Sequence, residues 1–317
     1  MIKLHIIIKF SKNMKIFITG GAGFIGSWLS SSLIDDGHNV TIFDNLSNSS
    51  EKNFHTLKEK GLIFINGDLT DFVHLEKSLA DMDIVIHLAA QIDVDDSIQN
   101  PEKTYFVNVQ GTKNILDVCV KNNIKNIITA SSAAVYGHPK KIPLDENSPL
   151  CPISPYGESK VKTEILIHDY CLQYNLNGIS LRFFNIYGRG QSSEYAGVIT
   201  KFVECINKNS HLTIFGDGTN TRDFIHISDV VRAKKFAMIN INGKNGDIYN
   251  IATGKSISIK KLAELMLHIS QKNLEIKYTL PKNGDILQSE TKIKKSKSEL
   301  DFVSKTQLEN GLIDFFN

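Results

Sequence analysis

The sequence predicts an α/β protein with a doubly wound parallel sheet and a smaller C-terminal α/β part. Three observations indicate this: strands and helices alternate from residue 14 to about residue 188, the strands are apolar throughout, and the alternation breaks after residue 188. Alternating strands and helices favour a parallel sheet that is covered by helices on both faces. Strands without polar alternation are typical of burial on both sides. A chain of 317 residues is long enough for two domains.

The first 188 residues contain the clearest elements. The β-branched and aromatic run at 15–20 ends in glycine and predicts a strand, and Ile25, Leu29 and Leu33 recur at helical spacing over 24–36. Pro101 suits the first turn of a helix over 101–121. The same criteria predict further strands at 40–44, 62–68, 83–90, 126–131 and 178–188, and helices at 72–80 and 156–174.

The pattern changes after residue 188. Residues 189–222 are polar and rich in loops, with a helix at 197–208 and a strand at 212–215. A helix at 228–240 and a strand at 247–251 are predicted to rejoin the first layer, followed by a helix at 258–271 and a lysine-rich, solvated stretch at 292–300. We therefore predict one domain of residues 14–188 plus 223–253 and a second domain of residues 189–222 plus 254–317.

The composition argues against several classes of protein. Lys and Arg total 36 and Asp and Glu total 34, so the chain lacks the basic excess that favours nucleic acid or an anionic membrane. No apolar run is long enough to span a bilayer. The four cysteines form no CxxC pair, which predicts no metal site and a reducing, cytoplasmic setting. Residues 1–13 lack a cleavage site of small residues, which argues against a signal peptide, and they are assigned no role.

A glycine-rich turn separates the first strand from the first helix. Gly20, Gly23 and Gly26 permit a tight turn, and the helix that follows presents backbone N–H groups to a pyrophosphate. Asp44 ends the second strand 18 residues after Gly26, where a carboxylate accepts both ribose hydroxyls and repels a 2′-phosphate. The pattern predicts binding of NAD rather than NADP. Asp68, at the end of the third strand, suits either an adenine contact or an ordinary turn.

Three residues suggest proton transfer beside that nucleotide. Tyr156 and Lys160 are four residues apart at the start of a predicted helix, so their side chains share a face. A cation beside a phenol lowers its pKa by about 1–3 units, and the nicotinamide ring of NAD+ acts in the same direction. Together they would let Tyr156 act as a general base. Ser132 ends a neighbouring strand and is placed to relay the proton, and Lys160 is also placed to hold the nicotinamide ribose. Ser132, the glycine turn and Asn185 all follow strands, at the edge where open α/β sheets bind ligands.

Together these segments resemble the extended short-chain dehydrogenases/reductases of the nucleotide-sugar epimerase/dehydratase type. The resemblance implies a Rossmann-type NAD-binding domain, a smaller domain that holds a nucleoside diphosphate sugar, and a homodimer built on helices 101–121 and 156–174. It runs from about Lys15 to the C-terminus. It rests on TGGAGFIG (19–26), FDNLS (43–47), GDL (67–69), HLAA (87–90), SSAAVYG (131–137), YGESK (156–160), RFFNIYG (182–188), RDFIHISDV (222–230) and NGD (283–285).

The resemblance also assigns roles to individual residues. It implies that Ser132, Tyr156 and Lys160 are the catalytic residues. It places Asn185 and Arg222 on the substrate diphosphate and Asp285 on the nucleoside ribose. Lys282 stands where the family usually carries arginine, and it keeps the charge but loses the bidentate fork. Besides the glycines, Asp44 and Asp68, the implied NAD site includes Phe24, Ile25, Asn45, Leu69, Leu88, Ala89 and Ala90.

The segment after Ser132 bears on the reaction. The 4,6-dehydratases of the family carry an Asp-Glu pair there, whereas this chain carries Ala133 and Ala134, which cannot move a proton. The resemblance therefore favours 4-epimerisation of a UDP-hexose through a transient 4-keto sugar, with Tyr156 as the base. A dehydratase, decarboxylase or reductase acting on a nucleotide sugar is the alternative, followed by a non-catalytic dinucleotide-binding protein.

Two finer predictions concern the sugar and the dimer. Ser289 lies where the resemblance places a gate for the group on sugar carbon 2, so its small size predicts that UDP-GlcNAc and UDP-GalNAc are accepted beside UDP-Glc and UDP-Gal. The alternative is that Ser289 is a polar surface residue. Val161, Ile165 and Leu172 form an apolar stripe that suits either a second subunit or the sheet of the chain itself.

Overall fold

The computed structural model describes residues 13–191, 197–281, 284 and 286–316. Within these ranges the strands form three sheets, of seven, three and two strands. In chain order the strands are β1 (Lys15–Thr19), β2 (Asn39–Asp44), β3 (Ile63–Asn66), β4 (Ile84–His87), β5 (Asn126–Ser132), β6 (Asn177–Phe183), β7 (Asn185–Tyr187), β8 (Leu212–Phe215), β9 (Thr221–His226), β10 (Asn245–Ile251), β11 (Ser256–Ser258) and β12 (Ile276–Thr279).

The large sheet is parallel and doubly wound, as the sequence predicts. Its strand order is β10-β6-β5-β4-β1-β2-β3, so the direction of winding reverses between β1 and β4. Ile16 and Ile18 of β1 pack into the core on one face, and Phe17 between them packs into the core on the other. Burial on both faces explains why these strands show no polar alternation. Such a reversal opens a crevice at the carboxyl ends of the strands.

Helices cover both faces of this sheet. Helices α1 and α9 contribute to one core cluster, and α3, α6 and α7 contribute to the other. In chain order the helices are α1 (Phe24–Asp35), α2 (His55–Lys58), α3 (Phe72–Ser78), α4 (Val94–Gln99), α5 (Pro101–Tyr105), α6 (Gly111–Lys121), α7 (Pro155–Tyr174), α8 (Val198–Asn207), α9 (Ile227–Ile239), α10 (Ile259–Ser270), α11 (Lys294–Leu300) and α12 (Leu308–Ile313).

The predicted helix over 101–121 is present with a wider turn in its middle. A π-helical turn at Phe106–Gln110 joins α5 to α6, and Pro101 occupies the first turn of α5 as expected. Helix α7 begins at Pro155 because the Ser154 side chain accepts a hydrogen bond from the Gly157 amide and caps it. No helix in the described ranges is long and apolar enough to cross a membrane.

The predicted strand over 178–188 proved to be two strands. Residues up to Phe183 belong to β6 in the large sheet, whereas β7 begins at Asn185 and pairs with β9 in the three-stranded sheet. Strand β9 was not predicted as a separate element, and it also pairs with β11. These strands, with α8, α10 and α12, surround a separate apolar cluster that includes Phe202, Leu262 and Leu312. The chain thus leaves the large sheet immediately after the strand end that faces the crevice.

Candidate functional site

A cavity of about 860 Å³ opens at the carboxyl ends of the central strands. Its wall contains the glycine turn, the exits of β2, β4 and β5, and the first turn of α7. These segments are far apart in the sequence, and the fold brings them together at the reversal of the sheet. The site residues predicted from the sequence that line the cavity are Gly20, Gly23, Phe24, Ile25, Gly26, Asp44, Asn45, Asp68, Leu69, Leu88, Ala89, Ala90, Ser132, Tyr156 and Lys160.

The glycine turn is packed too closely for side chains. Gly20 has a φ of +67°, and a Cβ there would lie 2.6 Å from the Ala89 backbone nitrogen. A Cβ on Gly26 would lie 2.4 Å from the carbonyl oxygen of Gly20. Gly23 is the N-cap residue of α1 and provides no side-chain cap, so the amino end of the helix faces the cavity with its own N–H groups. This arrangement is a cradle suited to an anionic pyrophosphate.

Two carboxylates are held in place at the cavity wall. The Asp44 side chain accepts hydrogen bonds from the backbone nitrogens of Ala22 and Leu46, at 3.0 and 2.9 Å. Asp68 accepts from Thr70 and, at 2.7 Å, from the side-chain amide of Asn45. Burial raises the pKa of Asp68, but the hydrogen bonds outweigh burial and leave this pKa below its ordinary value. Asp68 therefore forms a turn at the end of β3, as one interpretation predicts. It also lines the cavity, and its contact with adenine stays a prediction.

The proposed catalytic residues meet between β5 and α7. The Lys160 Nζ lies 5.7 Å from the centroid of the Tyr156 ring and donates a hydrogen bond to the carbonyl oxygen of Ala130 at 3.0 Å. The Ser132 side chain lies near the Tyr156 phenol and lowers its pKa. It also accepts from the Ala134 amide at 3.1 Å, which orients it at the end of β5. The four-residue spacing thus places phenol and ammonium on one face of α7.

The pKa of Tyr156 differs in direction from the expectation. Burial raises the pKa of the Tyr156 phenol, and the hydrogen bond to Ser132 lowers it only in part. Burial also lowers the pKa of Lys160 to about 8, against the opposing effect of the Glu164 charge. The physical reason is that the crevice removes water from both groups, which penalises their charged forms. In the chain by itself, burial therefore dominates the pKa of the phenol.

The predicted substrate residues lie in the smaller part of the molecule. Asn185 donates to the carbonyl oxygen of Asp223 at 2.9 Å, and Arg222 donates to the carbonyl oxygens of Thr221 and Ile286. Ser289 is 6% exposed, which excludes its interpretation as a surface residue. Asn185, Arg222 and Ser289 are not among the residues that line the cavity in the described ranges. Lys282 and Asp285 lie outside the described residues.

A buried ion pair beneath the site was missed by the sequence analysis. Arg182 of β6 binds both carboxylate oxygens of Glu164 in α7, at 2.8 and 2.7 Å. Ser131 donates to the same carboxylate at 2.5 Å, and Arg182 also donates to the Tyr136 hydroxyl at 2.8 Å. The available signal was a single arginine within an otherwise apolar strand. The pair joins β5, β6 and α7 one helical turn from Lys160.

Gln91 was also missed, although it lines the cavity directly after the predicted HLAA segment. Its side-chain nitrogen donates to Asp96 at 2.6 Å, which fixes the orientation of the amide. Asn108 holds the Gln91 backbone from both sides, donating to its carbonyl oxygen and accepting from its amide. The exit of β4 is therefore a rigid part of the cavity wall.

Comparisons with known proteins agree with this geometry. Residues 16–252 match the model of the NAD dependent epimerase/dehydratase family. A putative UDP-glucose 4-epimerase of Methanocaldococcus jannaschii is 40% identical over 300 residues, which cover 94% of this chain and 95% of that protein. A dTDP-D-glucose 4,6-dehydratase of Homo sapiens is 37% identical over 268 residues, which cover 82% of this chain and 75% of that protein.

A solved structure matches along almost the whole chain. It is a UDP-N-acetylglucosamine 4-epimerase from Methanobrevibacter ruminantium in complex with UDP-N-acetylmuramic acid, with a TM-score of 0.91 and 34% identity. The match covers 96% of this chain and 97% of that chain. With the family model spanning both the glycine turn and the Tyr156–Lys160 pair, the chain belongs to the NAD dependent epimerase/dehydratase family.

Proposed function

We propose that the protein is an NAD-dependent nucleotide-sugar 4-epimerase that interconverts UDP-Glc and UDP-Gal, and also UDP-GlcNAc and UDP-GalNAc. One observation carries the proposal: Ser132, Tyr156 and Lys160 meet in the cavity that the glycine turn lines. The relatives that are named as 4-epimerases, with UDP-glucose or UDP-N-acetylglucosamine in their names, support this choice of reaction.

The residues of the cavity fit NAD. The cradle at Gly20 and Gly26 suits the pyrophosphate, Asp44 suits the hydroxyls of the adenosine ribose, and Asp68 suits the adenine amino group. Lys160 is placed to hold the nicotinamide ribose. When bound, NAD supplies the acceptor, and later the donor, of the hydride at sugar carbon 4. The Asp44 side chain disfavours a 2′-phosphate at the same place.

Ser132, Tyr156 and Lys160 are proposed to transfer the proton of the sugar 4-hydroxyl. Tyr156 accepts the proton of the sugar 4-hydroxyl at its Oη and returns it when the keto group has turned to the opposite face. The Ser132 hydroxyl, beside Tyr156 in the cavity wall, is placed to hydrogen bond to the reacting oxygen or to relay its proton. The Lys160 ammonium stabilises the phenolate while both groups are shielded from water.

The turn after Ser132 argues against elimination of water. Residues Ala133–Tyr136 form a 3₁₀ turn, and Val135 and Tyr136 of this turn are buried. Ala133 and Ala134 offer no side chain that moves a proton. This chain therefore lacks the acid–base pair that the 4,6-dehydratases carry at this position, although a dehydratase is among the relatives. A non-catalytic dinucleotide-binding protein is disfavoured because Ser132, Tyr156 and Lys160 are all present.

Product analysis tests the reaction. The purified protein is incubated separately with UDP-Glc and UDP-GlcNAc, without added NAD(P)H, and the products are resolved by chromatography and NMR. We expect the 4-epimer of each substrate at an equilibrium ratio, with no loss of water or carbon dioxide. A 4-keto-6-deoxy product, a pentose product or a requirement for added NAD(P)H would replace the proposal by one of the alternative reactions.

Alanine at Gly26 is expected to weaken NAD binding by at least about tenfold. The new Cβ would meet the Gly20 carbonyl oxygen at 2.4 Å and the Gly21 Cα at 2.6 Å, so the phosphate cradle must shift. Binding is measured by titration of the cofactor-free protein. Gly197→Ala is the matched control, because a Cβ there meets nothing within 4 Å. Equal affinities in the two variants would contradict the assignment of the cradle.

Tyrosine at Ser289 is expected to lower acetylated turnover selectively. If Ser289 faces the group on sugar carbon 2, the larger side chain removes the space for an N-acetyl group. The measured quantity is the ratio of kcat/KM for UDP-GlcNAc to that for UDP-Glc within one preparation, which partial unfolding leaves unchanged. Ser298→Tyr, at an exposed position of α11, is the control. The assignment of Ser289 to sugar carbon 2 would be wrong if this ratio of kcat/KM values were unchanged in Ser289→Tyr. It would also be wrong if the wild-type protein did not convert UDP-GlcNAc.

The proposal also assigns NAD and the UDP-sugar to different parts of the chain. Residues 14–188 plus 223–253 are proposed to bind NAD, and residues 189–222 plus 254–317 are proposed to bind the UDP-sugar. Asn185 begins β7 directly after the exit of β6, and Arg222 lies near the start of β9, where it pairs with Ile257 of β11. Arg222, with Lys282, is proposed to hold the diphosphate, and Asp285 the nucleoside ribose. A guanidinium suits this role because it binds phosphate oxygens bidentately.

A cytoplasmic location is part of the same proposal. All four cysteines are free, and Cys119 and Cys171 are buried. Burial raises the pKa of each of these two thiols to about 12, which suppresses the thiolate and its oxidation. Four free cysteines, two of them buried, suit a reducing compartment.

A homodimer is proposed through α7 and the helix that contains α5 and α6. Ile165 and Leu172 of α7 are 53% and 62% exposed, and Phe106 of the neighbouring helix is 56% exposed. Their exposure shows that Ile165 and Leu172 do not pack against the sheet of the same chain, and exposed apolar groups of this kind favour a second copy. Light scattering is expected to give twice the chain mass for the wild type and the monomer mass for Ile165→Glu/Leu172→Glu. Ile63→Glu, at an exposed position of β3, should remain dimeric.

A further inference from the structure

The loop between β2 and α2 returns to the glycine turn. It begins at Leu46, which has a φ of +59° and donates its amide to the Asp44 carboxylate at 2.9 Å. A left-handed backbone is uncommon for leucine, and an aspartate that accepts from the amide two residues later closes a tight turn. Residues 47–49 and Asn53 then line the same cavity as the glycine turn.

The far end of this loop is anchored in the core. Phe54 is 0% exposed, and the centroid of its ring lies 4.6 Å from that of the Phe64 ring of β3. The Lys58 Nζ of α2 lies 5.3 Å from the centroid of the Phe54 ring. Burial of Phe54 therefore fixes the position of the preceding residue, Asn53, although Asn53 itself is exposed.

The Asn53 side chain holds one peptide of the glycine turn. Its Nδ2 donates to the carbonyl oxygen of Ala22 at 2.8 Å. Ala22 is 0% exposed, so water does not reach this oxygen. The N–H of the same planar peptide belongs to Gly23 and donates to the carbonyl oxygen of Gly20 at 3.2 Å. Asn53 and Gly20 therefore hold this peptide from its two ends.

The peptide before it is held by the end of β2. The Ala22 amide donates to the Asp44 carboxylate at 3.0 Å, and the Ser49 hydroxyl donates to the same carboxylate at 3.0 Å. Ser49 and Asn53 belong to one loop, which thus fixes both peptides of Ala22, one through Asp44 and one directly. Because Gly23 is the N-cap residue of α1, rotation of its peptide would redirect the N–H groups that face the cavity.

We propose that Asn53 is a positioning residue for NAD: by holding the Ala22 carbonyl, it keeps the glycine turn in the shape that receives the pyrophosphate. Without this donor the buried carbonyl is unsatisfied, which favours rotation of its peptide towards water. Only a fraction of the molecules would then have the binding shape, and the apparent affinity falls by that fraction. The inference rests on NAD binding within the proposed function, but not on the sugar or the proton transfer.

Asn53→Leu tests this role, because leucine keeps the size of the side chain and removes the donor. The dissociation constant of NAD, measured by titration of the cofactor-free protein, is expected to rise at least about fivefold. A smaller rise overturns the positioning role. The exposed position of Asn53 means that the change leaves no cavity in the core.

Two further variants control for bulk and for general destabilisation. Asn53→Ala removes the donor without a branched side chain and should weaken NAD binding as Asn53→Leu does. If Asn53→Ala bound NAD like the wild type, the added bulk of leucine would explain the loss and the role would be wrong. Asn207→Leu makes the same substitution at an exposed residue of α8 and should bind NAD like the wild type. An equal loss in Asn207→Leu also overturns the role.

ADP-ribose locates the effect along the cofactor. It carries the same pyrophosphate without the nicotinamide ring, so both Asn53 variants should lose affinity for ADP-ribose by the same factor as for NAD. A loss for NAD alone would place the effect at the nicotinamide end, which contradicts a role in the phosphate cradle.

Turnover separates positioning of the cofactor from the chemistry. With NAD and UDP-Glc at saturating concentrations, kcat of Asn53→Leu should stay within about twofold of the wild type, because Asn53 contacts the turn and no reacting atom. A larger fall in kcat under these conditions overturns the positioning role. A wild-type protein that bound NAD and converted no nucleotide sugar would refute the proposed reaction, while the NAD affinities would still decide the role of Asn53.

Discussion

Replacing Tyr156 by phenylalanine is expected to reduce epimerisation by about 10²–10⁴-fold, the usual contribution of general acid–base catalysis. The variant loses the Oη that exchanges the proton with the sugar hydroxyl, while the ring beside the Lys160 ammonium remains. The fold and NAD binding should therefore persist. Turnover is measured by NMR of the UDP-sugar products, and bound NAD by its release from the denatured protein.

The control for this change lies on the same helix. Tyr174→Phe alters a half-exposed ring at the last residue of α7, far from the cavity wall, and should leave turnover at the wild-type level. If Tyr156→Phe retained turnover within a few-fold of the wild type, another group would have to serve as the base. If it lost both turnover and NAD, the ring would have a structural role instead of the proposed chemical one.

Arg182→Met is expected to lower the free energy of unfolding by about 3–5 kcal/mol, the usual result of removing one partner of a buried ion pair. The change leaves the buried Glu164 carboxylate with Ser131 as its remaining hydrogen-bond donor among the contacts described here. It also removes a donor to the Tyr136 hydroxyl. Urea unfolding monitored by circular dichroism measures the loss.

A double variant separates the uncompensated charge from the loss of packing. Glu164→Leu/Arg182→Met removes both charges, so it should be more stable than Arg182→Met alone, because replacing a whole buried pair by apolar groups is often neutral. Lys113→Met is the surface control, since its pair with Asp117 is partly exposed and worth about 1 kcal/mol or less. A double variant as unstable as Arg182→Met would place the loss in packing or in the Tyr136 contact.

The glycine turn and the Tyr156–Lys160 pair could be predicted because each is a short-range pattern. A glycine with positive φ, a helix start and a four-residue helical repeat are decided by neighbours in the sequence. The order of strands and helices was predictable for the same reason, and parallel winding then brings the exits of β1, β2, β4 and β5 to one edge. Ser132 could therefore be placed near Tyr156 without coordinates.

The departures from prediction involve contacts between distant segments. The strand expected over 178–188 divides at Phe184 because Asn185–Tyr187 pairs with β9, which the local pattern did not reveal. In the chain by itself the pKa of Tyr156 is raised, since desolvation outweighs the effect of Ser132, and a lowered pKa with NAD bound stays a prediction. Ser289 is buried although it lies in a polar stretch of sequence.

The sequence by itself determined the alternation of strands and helices, the phosphate cradle and the spacing of phenol and ammonium, because the backbone conformation of a few consecutive residues governs each of these. Only the tertiary structure decided which charges lie away from water. It pairs Arg182 with Glu164 and leaves the buried Lys234 Nζ without a hydrogen-bond partner in the described part of the chain. The physical reason is that the energy of a charge depends on burial and on partners from other elements, neither of which local sequence specifies.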